Sequence, residues 1–175
     1  WSRIEPEPGE FSIAALDHYR RVLASCHAHG IEPVVTFHHF TTPRWVAAEG
    51  GWHTASTVDR FLRFAEKSVN HLGDLIGTAC TINEPNIVSF VGYQMGMFPP
   101  GATDDAQFEA VNANFIDAHR RVVPVLKGGP GDFPVGLTLS MADYQVVPPD
   151  DVDAIARRDH VRAVSEDQFL DIVGK

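Results

Sequence analysis

The sequence predicts an α/β protein built on a parallel sheet. Two observations predict it. Three short apolar or β-branched stretches, at residues 33–37, 76–82 and 134–141, and a strand tail at residues 1–4 alternate with amphipathic segments of helical period. Each stretch also runs directly into polar residues, as strands do when they end at one shared face. The order β-α-β-α-β-α-β-α implies parallel strands joined by right-handed crossovers. That order fits an open doubly wound sheet and a barrel segment equally.

Taken in sequence, residues 1–4 read as the end of a strand, and Glu5-Pro6-Glu7-Pro8-Gly9 as a turn-rich loop. Ile13, Leu16, Tyr19, Leu23 and Cys26 recur at helical spacing, predicting a helix over residues 13–29 closed by Gly30. Pro33-Val34-Val35-Thr36-Phe37 suits a strand buried on both faces. Residues 38–53 read as a long loop rich in aromatics and glycine. Val58, Phe61, Leu62, Ala65, Val69 and Leu72 mark a second helix, and Phe108, Val111, Phe115, Ala118 and Val122 a third. A strand over 76–82 lies between them. The fourth strand, 134–141, is followed by a helix over 151–164. Gly128-Gly129-Pro130-Gly131 precedes a strand rather than joining strand to helix, so it reads as a turn and not a phosphate loop. No linker or repeat divides the chain, and residues 1–175 read as a single domain.

Composition narrows the function. With 44% hydrophobic and 21% charged residues the chain has a globular balance. Its net charge of -9 disfavours nucleic acid and anionic membrane as partners, because both call for basic surface. No apolar run approaches a membrane span. Cys26 and Cys80 fall in a predicted helix and strand and read as buried free thiols.

The strand ends carry the chemistry. Arg3 lies near the end of the first, His38-His39 follow the second, Asn83-Glu84 stand at the end of the third, and Asp143-Tyr144 lie near the end of the fourth. In Asn83-Glu84-Pro85-Asn86, a carboxylic acid stands beside an amide at the end of an apolar run. That is how a barrel glycosidase presents a proton donor, with the amide free to hold a sugar hydroxyl. The proline cannot extend a ladder and helps to stop the strand there. His38 and His39 do not read as a metal pair. Neighbours on a strand point to opposite faces, and no carboxylate or Cys stands at ligand spacing.

Trp1-Ser2-Arg3-Ile4, Val35-Thr36-Phe37-His38-His39-Phe40, Gly50-Gly51-Trp52 and Thr81-Ile82-Asn83-Glu84-Pro85 resemble, in order and spacing, successive blocks of glycoside hydrolase family 1, the β-glucosidase family. Gly92-Tyr93 through Phe98-Pro99-Pro100-Gly101 and Ala118-His119 resemble its later blocks. The resemblance covers essentially the whole chain. It implies an incomplete (β/α)8 TIM barrel, from the end of strand two to the helix after strand five, with Phe169-Leu170-Asp171 preceding the sixth strand. A complete barrel takes about 250 residues.

The resemblance also implies roles. Glu84 corresponds to the general acid/base, protonated for the first step and a base in the second. Burial and a neighbouring carboxylate would hold its pKa up until glycosylation removes that neighbour's charge. Asn83 corresponds to the residue on the sugar 2-hydroxyl and His39 to a glycone-binding histidine. Arg3 corresponds to the arginine that keeps the nucleophile ionised. Trp45 and Trp52 could stack on sugar or pack their loop.

Two departures stand out. Phe40 occupies a position where many members have Trp, so an indole N–H donor is lost there. No Thr-Glu-Asn-Gly or similar segment occurs, so the nucleophile has no counterpart. The expected function is therefore the acid/base portion of a retaining β-glycosidase, acting on β-glucosides, galactosides, fucosides or related oligosaccharides. Two carboxylates suffice for that chemistry, and no metal or organic cofactor is implied. The alternatives are a catalytically inactive truncated product or weak sugar binder, and another parallel α/β hydrolase with an accidental Asn-Glu-Pro. Open sheet edges further predict self-association.

Overall fold

The computed structural model describes residues 1–173. Three strands, β1 (Val34–His38), β2 (Thr78–Asn83) and β3 (Val135–Thr138), form one parallel sheet in the order β1-β2-β3. The helices are α1 (Ile13–Ala28), α2 (Arg44–Ala48), α3 (Ser56–Leu72), α4 (Pro85–Ser89), α5 (Asp105–Lys127), α6 (Val152–Arg162) and α7 (Gln168–Val173). A 3-10 turn at Gly51–His53 and single π-turns at Phe90–Gln94 and Ala163–Asp167 complete the order.

The long helices start and stop where their caps dictate. Ser12 caps α1 by accepting from the Ala15 N–H, and Gly30, at φ 71°, turns the chain away after it. Asp104 caps α5 by accepting from the Gln107 N–H. Asp151 caps α6 in the same way through the Ala154 N–H. On α1 the buried stripe is Leu16 and Leu23, and the expected stripe residue Ile13 is exposed at its first turn.

The core lies between the sheet and α3 and α5. Val58, Phe61, Ala65, Val69 and Leu72 of α3 meet Phe108, Val111, Phe115, Ala118 and Val122 of α5, and all ten are buried. Trp52 fills the space above them, its ring 4.5 Å from Phe115 and 5.6 Å from Phe61. Truncating a buried aromatic such as Phe61 to Ala would cost about 3–5 kcal/mol. Thr81 Oγ1 lies 2.8 Å from His119 Nδ1, pinning β2 to α5 through a buried polar contact.

Two sequence expectations need correction. Residues 1–4 form a turn and not a strand. The Ile4 and Glu5 N–H groups both bond to the Trp1 carbonyl and so cannot enter a ladder. The Trp1 ring instead stacks on Phe64 at 5.3 Å and donates through Nε1 to buried Glu5, which also pairs with Arg63. The fourth expected strand, 134–141, shortens to Val135–Thr138. Asp143 and Tyr144 therefore lie in an exposed loop five or more residues past its end. Cys26 and Cys80 are free thiols, as expected, though Cys26 is only half-buried. Among the described residues no helix is long and apolar enough to cross a membrane.

Candidate active site

The ends of β1 and β2 define one place. These strands are parallel, with His38 opposite Ile82, so His39 and the pair Asn83-Glu84 emerge side by side at the same end of the sheet. His38, the last residue of β1, is buried, and His39, directly after it, is exposed.

Both strand ends turn through strained backbone. Among the described residues only two non-glycine residues have positive φ: Phe40 at 65° and Glu84 at 46°. Phe40 is the centre of a tight turn in which the Thr41 N–H bonds to the His39 carbonyl at 2.7 Å. Glu84 is the N-cap of α4, in the left-handed region. Its carbonyl accepts from Ile87 and Val88, and its N–H donates to the Thr138 carbonyl at 2.9 Å. A left-handed L-residue costs about 1–2 kcal/mol, and such strain concentrates at functional sites. Here it re-aims the side chains that follow two neighbouring strands.

β3 supports the Asn-Glu-Pro loop. The register between β2 and β3 shifts between Cys80 and Asn83, which brings Asn83 opposite Thr138. The Thr138 hydroxyl donates to Asn83 Oδ1 at 2.9 Å. Glu84 is half-buried.

Beneath His39, the Trp52 indole N–H donates to His38 Nε2 at 3.1 Å. That bond places the His38 proton on Nδ1, which has no hydrogen-bond partner among the described residues. Burial, with smaller contributions from the Trp1 ammonium and His39, pushes the His38 pKa down to about 3, so the ring is neutral at ordinary pH.

Trp45 and Trp52 pack the loop. Trp52 is buried, and the Trp45 N–H donates to the Glu5 carbonyl at 3.0 Å with Arg60 over its ring. An apolar cavity of about 430 Å³ opens nearby, walled by Phe40, Trp52, Val88, Tyr93, Phe98 and Pro100. His39, Asn83 and Glu84 do not line it.

Of the four residues expected from sequence, His39, Asn83 and Glu84 follow the neighbouring strands β1 and β2. Arg3 lies in the turn at residues 2–4 and not at a strand end, and it is exposed. Sequence reasoning missed Thr138 and Asn86. Thr138 fell in the middle of an overlong expected strand. Asn86 closes Asn83-Glu84-Pro85-Asn86, where a second amide two residues past the acid was the available signal. Among the described residues no group of three metal-ligating side chains converges.

Parallel βα units presenting a carboxylate and an amide at one strand end fit a segment of a barrel enzyme. Comparison with known proteins gives the family. The family model for glycosyl hydrolase family 1 matches residues 1–175. Thermostable β-glucosidase B of Thermobispora bispora is 34% identical over 172 residues, which are 98% of this chain and 35% of that protein. A 6-phospho-β-galactosidase of Clostridium acetobutylicum is 34% identical over 139 residues, 78% of this chain and 29% of the other. Among solved structures, the family 1 β-glucosidase of Thermotoga maritima in complex with isofagomine lactam superposes with a TM-score of 0.86 at 29% identity, covering 94% of this chain and 37% of that one.

The chain belongs to glycosyl hydrolase family 1, and its βα units are part of a (β/α)8 barrel. It spans roughly a third of the length of these curated relatives.

Proposed function

We propose that residues 1–175 are the acid/base portion of a retaining β-glycosidase. Glu84 is the general acid/base, Asn83 holds the sugar 2-hydroxyl and His39 binds the glycone. The observation that carries this reading is the pair of left-handed residues, Phe40 and Glu84, directly after His39 and Asn83 at neighbouring strand ends. Maintained strain at both places is what a site needs and what a surface loop does not.

The chemistry assigns the steps. In the first, the Glu84 carboxyl protonates the glycosidic oxygen as the bond to the anomeric carbon breaks. A second carboxylate takes that carbon, forming a glycosyl-enzyme. In the next step Glu84 removes a proton from water, which releases the sugar with its configuration retained. The second carboxylate has no counterpart in residues 1–175, and neither do several glycone contacts. Arg3, in the turn at residues 2–4, is retained as electrostatic support for that carboxylate in a complete barrel. The substrates are O-linked β-glucosides or related β-glycosides.

The reading is tested on a complete barrel containing residues 1–175. Aryl β-glucosides, β-galactosides, β-fucosides and 6-phospho-β-galactosides are offered, and the first-formed anomer is read by NMR. Hydrolysis with release of the β-anomer supports the proposal. Release of the α-anomer, or no hydrolysis of any of these substrates, counts against it.

A further inference from the structure

The Asn83 amide is fixed from one side. Its Oδ1 accepts from the Thr138 hydroxyl, whereas its nitrogen has no partner among the described residues. The bulge in β2 makes this pairing, since it sets Asn83 and Thr138 opposite one another at the sheet end. Turning the amide over would put its N–H2 group against the Thr138 oxygen. The hydroxyl proton would then lose its protein acceptor and turn to solvent, since the nearby Cys80 Sγ, at 3.8 Å, is a weak one. Cys80 itself sits against the Ile82 carbonyl at 3.4 Å and does not compete for Asn83. The Thr138 backbone is engaged at the same place, its carbonyl accepting from the Glu84 N–H.

We propose that Thr138 is a positioning residue that orients the Asn83 amide, so that its nitrogen and not its oxygen is offered to the substrate. A sugar hydroxyl can donate or accept. An amide with its oxygen engaged offers it a donor only. The 2-hydroxyl then accepts from Asn83 through its oxygen and keeps its own proton free for a negatively charged partner. This inference rests on the reading of Asn83 as the 2-hydroxyl ligand. Thr138 touches no substrate in this arrangement and acts only through Asn83.

The experiment uses a complete barrel containing residues 1–175 and two substrates, an aryl β-glucoside and its 2-deoxy analogue. Thr138→Val keeps the shape and removes the hydroxyl. It is expected to lower kcat/KM on the glucoside by about three- to tenfold, the span of one neutral hydrogen bond, and to leave the 2-deoxy substrate nearly unchanged. Thr138→Ser, which restores the hydroxyl, should recover the glucoside rate. Equal losses on both substrates, or no loss on either, overturn the role of Thr138. Asn83→Ala separates the two levels. If it discriminates between the substrates and Thr138→Val does not, only the positioning role falls. If Asn83→Ala does not discriminate, the reading of Asn83 falls with it.

Discussion

Asn86 holds Ser140 by both ends of its side-chain amide. Nδ2 donates to the Ser140 carbonyl at 2.6 Å and Oδ1 accepts from the Ser140 N–H at 3.4 Å. The amide is buried, and it ties the first turn of α4, directly after Glu84, to the segment leaving β3. Removing it leaves two backbone groups of Ser140 short of partners. Asn86→Ala should therefore lower stability by about 1–3 kcal/mol in urea unfolding. An unchanged midpoint would mean that the clamp contributes nothing.

The left-handed conformation of Glu84 makes an unusual prediction. Glycine adopts that region without a Cβ penalty, and alanine does not. Glu84→Gly should be more stable than Glu84→Ala by about 1 kcal/mol, although both remove the same carboxyl. Equal unfolding free energies for the two variants would show that residue 84 is not held at positive φ.

His38 sets a pH dependence. In the unfolded chain it titrates near 6.5, whereas burial holds the folded value at about 3. Below pH 6.5 the unfolded state takes up a proton that the native state refuses. Stability is then lost as pH falls and recovered as it rises. His119, also lowered by burial, acts in the same direction. Between pH 7 and pH 5 the His38 contribution is about 2 kcal/mol. Most carboxylate effects, such as that of Asp74 beside Arg20, enter at lower pH. His38→Gln keeps an acceptor for Trp52 but does not titrate, and it should flatten the profile in denaturant titrations. A wild-type profile that is already flat over this window would contradict the buried neutral ring.

The central strands and long helices were legible because their signals are local. The β-branched run before His38 forms β1, though Val34 is exposed where burial on both faces was expected, and the 3.6-residue periods of α3 and α5 survive nearly unchanged. Residues 1–4 misled because four residues, of which only Trp1 and Ile4 are apolar, specify a strand only when a ladder is available to them. Here the backbone donors close on Trp1 instead. The site divided along the same line. Asn83, Glu84 and His39 announce themselves beside strand ends. Thr138 and Asn86 act through partners 55 and 54 positions away, pairings that no local pattern encodes. Register is what joins them, and the one-residue bulge in β2 has no sequence mark of its own.

The isolated chain should be inactive and self-associating. Retention needs a carboxylate about 5–5.5 Å from the acid/base, and residues 1–175 hold no counterpart to it. Among the described residues β1 and β3 each leave an edge unpaired, and Val34 on β1 is exposed. The purified chain should release no nitrophenol from aryl β-glucosides and should sediment as oligomers. Glu84-dependent turnover by the chain alone, or a monomer at every concentration, would contradict one or the other expectation.

The central claim is that Glu84 gives and takes the proton. It is tested most directly by azide rescue of Glu84→Ala in a complete barrel containing residues 1–175. A dinitrophenyl leaving group departs with little protonation, so glycosylation from it should survive the substitution better than from a more basic aryl leaving group. Deglycosylation still lacks its base, and azide, an anionic nucleophile that needs none, should restore turnover and yield the β-glycosyl azide. Equal losses on both leaving groups, with no rescue and no azide product, would show that Glu84 is not the acid/base.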